Sequence, residues 1–164
     1  GSRIIDIHEY LLEKGVQLHG NKAAYLFHQP CHNPMKQQDT MTTVKALVGE
    51  QVIDNARCCG ESGTLAVARP DVSTQVRFRK EEEIQKGVAQ LRENFDLPAD
   101  GNVKILTSCP ACLQGLMRYE GDLQNGLLEA DYIVIEMAKQ ILGENWLPEF
   151  VATANQGGIE RVLV

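Results

Sequence analysis

Apolar positions fall into short blocks along the chain, and their spacing changes from block to block. Ile4, Ile5, His8, Leu11 and Leu12 recur at the period of a helix with one buried face, and Gly15 closes the block. Ala23, Ala24, Tyr25, Leu26 and Phe27 form a continuous apolar run that stops at Pro30 and Cys31. Its length suits a buried strand. Asn33-Pro34 offers a cap and a first-turn proline, which predicts a helix from there to about Leu47. Gln51-Val52-Ile53-Asp54 predicts a shorter second strand that runs into Cys58-Cys59-Gly60. Gly60 and Gly63 mark a tight loop, and a helix is expected to begin within residues 64–68. Residues 71–91 predict a long charged helix. Its run Lys80-Glu81-Glu82-Glu83 is expected on a solvated face.

Residues 97–101, Leu-Pro-Ala-Asp-Gly, read as a turn. Residues 103–107 predict a strand followed at once by Cys109-Pro110-Ala111-Cys112 and a helix to about Tyr119. Residues 132–135 suit a strand with a helix over 136–142, or one buried helix throughout; periodicity leaves both open. Residues 159–164 are expected as a last edge strand. The rhythm of strand, thiol-bearing loop and helix repeats three times. It predicts an α/β fold: a small parallel or mixed sheet with helices on its faces and the cysteines in loops at the carboxyl ends of strands. Such loops gather on one edge of the sheet, where ligands bind. The sulfurs are therefore expected to converge despite their separation along the chain.

A chain of 164 residues suits one domain, taken as residues 3–164. Gly1-Ser2 without an initiator Met reads as a cloning scar, and the chain as a piece of a longer protein. The formal charge of -6 argues against nucleic acid as a partner, because there is no basic excess to neutralise phosphates. No apolar run is long enough for a transmembrane segment, and no signal-peptide pattern opens the chain. A cytoplasmic location is expected.

The five cysteines sit in three places: Cys31, the pair Cys58-Cys59, and Cys109 with Cys112. Their odd number and low density do not suit a secreted disulfide scaffold. Their positions beside Pro and Gly at the ends of apolar runs do not suit scattered core packing. Thiolate is the form that binds metal or attacks disulfides, and a helix N-terminus favours it. Cys31 and the Cys109/Cys112 pair are expected at such termini, with Pro30 and Pro110 stiffening the loops. Gly60 is expected to relieve the backbone beside two adjacent side chains that face one site. A tetrahedral zinc takes four ligands, as does an ordinary iron–sulfur cubane; five sulfurs suit a polynuclear assembly better than one ion. His28 and His32 flank Cys31, placed to ligate a metal, to hydrogen-bond a sulfur or to move a proton. With Gly60 and Glu61 they are expected around the thiols rather than among the ligands. His8 and His19 are expected on the surface or a helix face.

Three segments, His28-Gln29-Pro30-Cys31-His32, Cys58-Cys59-Gly60-Glu61-Ser62-Gly63 and Ser108-Cys109-Pro110-Ala111-Cys112, resemble the cysteine-rich CCG domain. That domain occurs in the B subunit of heterodisulfide reductase and the iron–sulfur subunit of glycolate oxidase. It also occurs in lactate-utilisation and anaerobic glycerol-3-phosphate dehydrogenase proteins, and at the C-terminus of large FAD-linked oxidases resembling D-lactate dehydrogenases. The resemblance spans roughly residues 24–142. It implies that Cys31, Cys58, Cys59, Cys109 and Cys112 ligate an iron–sulfur cluster. In heterodisulfide reductase this is a noncubane [4Fe-4S] cluster, and in some relatives the motif binds zinc. It further implies that this is the C-terminal of two tandem copies, with FAD and further iron–sulfur domains upstream in the same protein or complex. Attachment to the inner face of a membrane would then be peripheral. The stretch from Cys31 to Cys58 is shorter than usual for the family. That from Cys59 to Cys109 is longer and holds the charged helix.

Three functions are in view. The first is electron transfer in a flavin-linked oxidoreductase acting on a 2-hydroxy acid. Gly60-Glu61-Ser62-Gly63 lacks the dinucleotide fingerprint, so flavin is expected elsewhere. The second is thiol–disulfide chemistry, heterodisulfide reductase-like or thioredoxin-like, because strand, Cys-Pro-Ala-Cys and helix follow one another. The third is a structural zinc module. The isolated piece is expected to have no activity of its own.

Overall fold

The computed structural model describes residues 2–61, 65–99, 102–120 and 128–156. The edge strand expected at residues 159–164 lies outside them, as do parts of the loop at 60–64 and of the turn at 97–101. Four strands form the sheet: β1 (Tyr25–His28), β2 (Val52–Asp54), β3 (Val103–Thr107) and β4 (Leu128–Tyr132). Their order is β2-β1-β3-β4 and every pairing is parallel. The helices are α1 (Ile7–Glu13), α2 (Thr40–Val48), α3 (Leu65–Ala68), α4 (Pro70–Phe95), α5 (Pro110–Met117), α6 (Ile133–Leu142) and α7 (Trp146–Gln156).

Parallel strands need crossover helices, and helices on both faces explain why β1 is buried at all four positions. The strand period of two divides the core. Tyr25, Phe27 and Leu106 pack with Val44, Leu47 and Val48 of α2 and with Ile133 and Met137 of α6. Leu26, Val103 and Ile105 pack on the other face with Ile84 and Leu91 of α4 and Leu116 of α5. α4 buries Lys80, Ile84, Gly87 and Leu91, one stripe at helical spacing. At Gly87 it lies so close to the sheet that a Cβ would meet Leu26 Cδ2 and Asn55 Nδ2 at 3.0 Å. At the amino ends of the strands, buried Glu136 of α6 accepts from Tyr25 Oη at 2.8 Å and Lys104 Nζ at 2.6 Å. Burial alone would raise its pKa. The hydrogen bonds from Lys104, Tyr25 and Gln140 outweigh that and hold it below the usual carboxylate range.

Several elements depart from the patterning. α2 begins at Thr40, not at Asn33. Asp39 is its cap, accepting the Thr42 N–H at 2.9 Å. Asn33 instead closes a turn by accepting the Met35 N–H at 3.1 Å, and the Lys36 and Gln37 N–H groups donate to the buried Glu9 carboxylate. With those amides satisfied, the segment from Cys31 to Gln38 stays a tethered loop. His8 lies on a helix face, one of the two expected placements, and that face of α1 is buried, with His8 Nδ1 2.8 Å from Asp6 Oδ1; His19 is exposed. The choice at residues 132–135 resolves with β4 ending at Tyr132 and α6 beginning at Ile133. The polar residues of β4 are held from α6, Lys139 Nζ lying 2.6 Å from Asp131 Oδ2. The patterning assigned no element to α7.

Gly87→Ala tests the close packing of α4. The added methyl gains helix propensity of about 0.5–1 kcal/mol, but overpacking typically costs about 1–3 kcal/mol. The urea midpoint is expected to fall, with its slope unchanged.

Candidate thiol-rich metal site

The carboxyl edge of the sheet sets the site. His28 ends β1 and lies in register with Thr107, the last residue of β3. From β1 the chain crosses to β2 on one side and then to β3 on the other. Connections therefore diverge between the carboxyl ends of β1 and β3, where a crevice forms in open parallel sheets. Cys31, Cys58-Cys59 and Cys109 follow just beyond β1, β2 and β3.

The sulfurs touch in two sets, which adjoin where Cys58 and Cys59 are chain neighbours. Cys31 touches Cys58, its chain neighbour Cys59 contacts Cys112, and Cys112 contacts Cys109. A ring nitrogen of His28, Cys59 Sγ and Cys112 Sγ lie within 4.8 Å of one another, all three residues buried. Cys31 and Cys58 are exposed, and Cys109 is half-buried. Cys58 also borders a surface cleft of about 460 Å³ lined by Arg57, Val76, Arg79 and Glu82.

Local geometry explains the convergence. Gly60 has a φ of +78°, and its N–H donates to Cys58 Sγ at 3.4 Å. A side chain there would be strained in backbone and would meet Val76 Cγ1 at 3.3 Å. Cys109 caps α5, its Sγ accepting the Cys112 N–H at 3.5 Å, with Pro110 in the first turn. Further along α5, a Cβ on Gly115 would meet Glu61 Cβ at 3.0 Å and Cys59 O at 3.3 Å. The absence of a side chain lets α5 rest directly on the Cys-Cys-Gly loop, which puts Cys112 against Cys59. Arg118 Nη2 and Glu61 Oε2 close the same contact at 2.7 Å.

The thiols divide by charge. The hydrogen bond from Cys112, aided by His28 and the Glu61 backbone N–H, outweighs burial and holds the Cys59 pKa far below the usual thiol range. The same contact with Cys59, then burial and Cys109, pushes the Cys112 thiol up. The shared contact thus favours the thiolate at Cys59 and the thiol at Cys112. Burial, then the neighbouring Cys59 and Cys31 against a bond from Gly60, raises Cys58. Burial also raises the Tyr119 hydroxyl to about 12; it donates to Arg77 O at 3.3 Å.

Cys31 meets Cys58, Cys59 and Cys109 meet Cys112, His28 lies beside Cys59 and Cys112, and the Gly60 N–H donates to Cys58. His32 is exposed. Cys31 lies in the loop before α2, not at a helix N-terminus as expected, because the helix starts at Thr40; Cys109 does occupy such a terminus. In the run expected on a solvated face Glu82 is exposed and Glu81 and Glu83 are half-buried, but Lys80 departs from it. It is fully buried, with Nζ 2.7 Å from Asn55 O, 3.0 Å from Glu83 Oε2 and 3.2 Å from His28 Nδ1. The signal was present, since Lys80 precedes Ile84, Gly87 and Leu91 in one helical stripe. Gly115, inside a helix, was the corresponding signal for close packing.

Thiols with an imidazole suit zinc or iron. The spacing of His28, Cys59 and Cys112 serves two chemistries: a metal ion held by all three, or an imidazole N–H directed at sulfur. Fold and site together define a parallel α/β domain with a thiol cluster at its carboxyl edge. Residues 25–116, more than half of the chain, match the family model described as Cysteine-rich domain (CCG), and the chain belongs to that family. Residues 117–164 match a model described as Domain of unknown function (DUF3400). No curated protein and no solved structure matches the chain.

Burial and protonation order the thiols for labelling. In reduced, metal-free protein, limiting iodoacetamide is expected to modify exposed Cys31 first and Cys112, buried and protonated, last. Peptide mass spectrometry over time reads the order; early labelling of Cys112 contradicts the geometry.

Proposed function

We propose that Cys31, Cys58, Cys59, Cys109 and Cys112 hold an iron–sulfur cluster of the [4Fe-4S] class, noncubane in form. The domain would pass electrons within a flavin-linked oxidoreductase acting on a 2-hydroxy acid. The observation that carries this reading is the pair of adjoining thiol sets, Cys31 with Cys58 and Cys59 with Cys112 and Cys109, five thiols where a single zinc or an ordinary cubane takes four. When bound, the cluster supplies one-electron transfer. The protein's part is to hold and tune it. Cys59 and Cys112 ligate from the buried side and Cys31 and Cys58 from the exposed side, while the Gly60 N–H donates to Cys58 and the Glu61 N–H to Cys59. The Arg-bordered cleft beside Cys58 is where an electron partner approaches. Flavin and substrate belong to upstream domains of the same protein or complex. No helix among the described residues is long and apolar enough to cross a membrane. We place the domain in the cytoplasm, with any membrane attachment peripheral and made through the whole protein.

A structural zinc site is the second reading, favoured by the spacing of His28, Cys59 and Cys112. Anaerobic isolation with elemental analysis, followed by reconstitution with iron and sulfide, separates the two. The cluster reading expects a broad visible band, labile sulfide and about four irons per chain. Colourless protein holding zinc and taking up no sulfide overturns it. Cys59→Ser is expected to abolish most of the band; full retention removes Cys59 from the ligand set.

Gly115→Ala tests the scaffold without touching a ligand. The methyl must push the loop at Cys59 and Glu61 off α5. Iron loss to a chelator is expected to speed up by about tenfold, in the range of changes to groups that support metal ligands.

A further inference from the structure

Lys80 reaches from α4 to the end of β1 and lies among three acceptors, each from a different element or loop. Its Nζ is 2.7 Å from Asn55 O, 3.0 Å from Glu83 Oε2 and 3.2 Å from His28 Nδ1. An ammonium carries three N–H donors and no acceptor, and buried donors need partners. Glu83 supplies the countercharge and also accepts the Arg57 backbone N–H at 2.9 Å. Three donors therefore meet three acceptors, and the lone pair of His28 Nδ1 is one of them.

The alternative places the ring proton on Nδ1, donating to Asn55 O at 3.2 Å. That carbonyl already takes the shorter bond from Lys80, and an Nδ1–H would then face an ammonium donor across 3.2 Å. The ring proton belongs on Nε2. That atom is buried and has no hydrogen-bond partner, and a ring nitrogen lies within 4.8 Å of the Cys59 and Cys112 sulfurs. We propose that Lys80 fixes His28 as the Nε2–H tautomer, so that the imidazole donates to the Cys59 sulfur instead of ligating a metal.

Lys80 is thus a positioning residue acting through His28. The inference rests on the proposed cluster for one consequence: an N–H donated to a ligating sulfur draws charge from it and raises the reduction potential. The tautomer itself is independent of that reading.

The test is two-bond ¹⁵N–¹H correlation of the ring nitrogens in the full, reduced chain labelled at histidine. Wild type is expected to show Nε2–H for His28. Lys80→Met is expected to switch it to Nδ1–H, now donating to Asn55 O. An Nδ1–H or doubly protonated ring in wild type overturns the proposal, as does an unchanged Nε2–H in folded Lys80→Met. Where that variant does not fold, the wild-type spectrum decides. In metal-loaded protein, X-ray absorption at the metal edge is expected to show a sulfur shell; imidazole outer-shell scattering overturns the proposal. A chain that takes up no metal speaks against the cluster, and leaves the tautomer to be read by resonance.

Discussion

The buried contact between Cys59 and Cys112 is the joint on which the site depends. Cys59 comes from the loop after β2 and Cys112 from the first turn of α5, and their contact lowers the Cys59 pKa and raises that of Cys112. The contact exists because α5 lies on the Cys-Cys-Gly loop at Gly115, where a methyl would already be at 3.0 Å from Glu61. Cys58 and Cys31 extend the group outward, and Cys109 extends it along the first turn of α5. A gap at Gly115 would separate the inner pair.

The sheet makes this joint rigid. Both faces are covered, β1 is fully buried, and the register of His28 with Thr107 fixes the carboxyl ends of the two central strands side by side. At the opposite end, Glu136 with Tyr25 and Lys104 ties α6 to β1 and β3. The molecule therefore places satisfied charge at the amino ends of its strands and sulfur at the carboxyl ends. Site residues carried on the ends of buried strands and the first turn of a helix are held more firmly than residues on a free loop.

α4 occupies the long interval between Cys59 and Cys109, and it does more than cross from β2 to β3. Its buried stripe presses on the sheet through Gly87 and delivers the Lys80 ammonium to Asn55, Glu83 and His28. Burial lowers the Lys80 pKa, against the pull of Glu83. A buried ammonium without its partners is costly, so the full set of acceptors is what lets a lysine lie beneath a sulfur cluster. The interval between Cys59 and Cys109 thereby delivers a buried ammonium to His28.

The sequence alone determined the alternation of elements, the α/β class with a parallel or mixed sheet and the five cysteines, because turn residues and apolar periodicity are local properties of the chain. It also placed Gly60 correctly, since adjacent side chains sharing one site need backbone freedom there. It misplaced the start of α2, because the partner that satisfies the Lys36 and Gln37 amides is Glu9, far away in sequence. It read Lys80 as solvated, because a charged residue in an acidic run carries no local sign of the distant carbonyl and imidazole that receive it. Which sulfurs touch, which thiol keeps the proton and whether His28 faces them were decided only by tertiary structure. Those properties depend on distances between strand ends and helix faces, and spacing along a chain does not encode them.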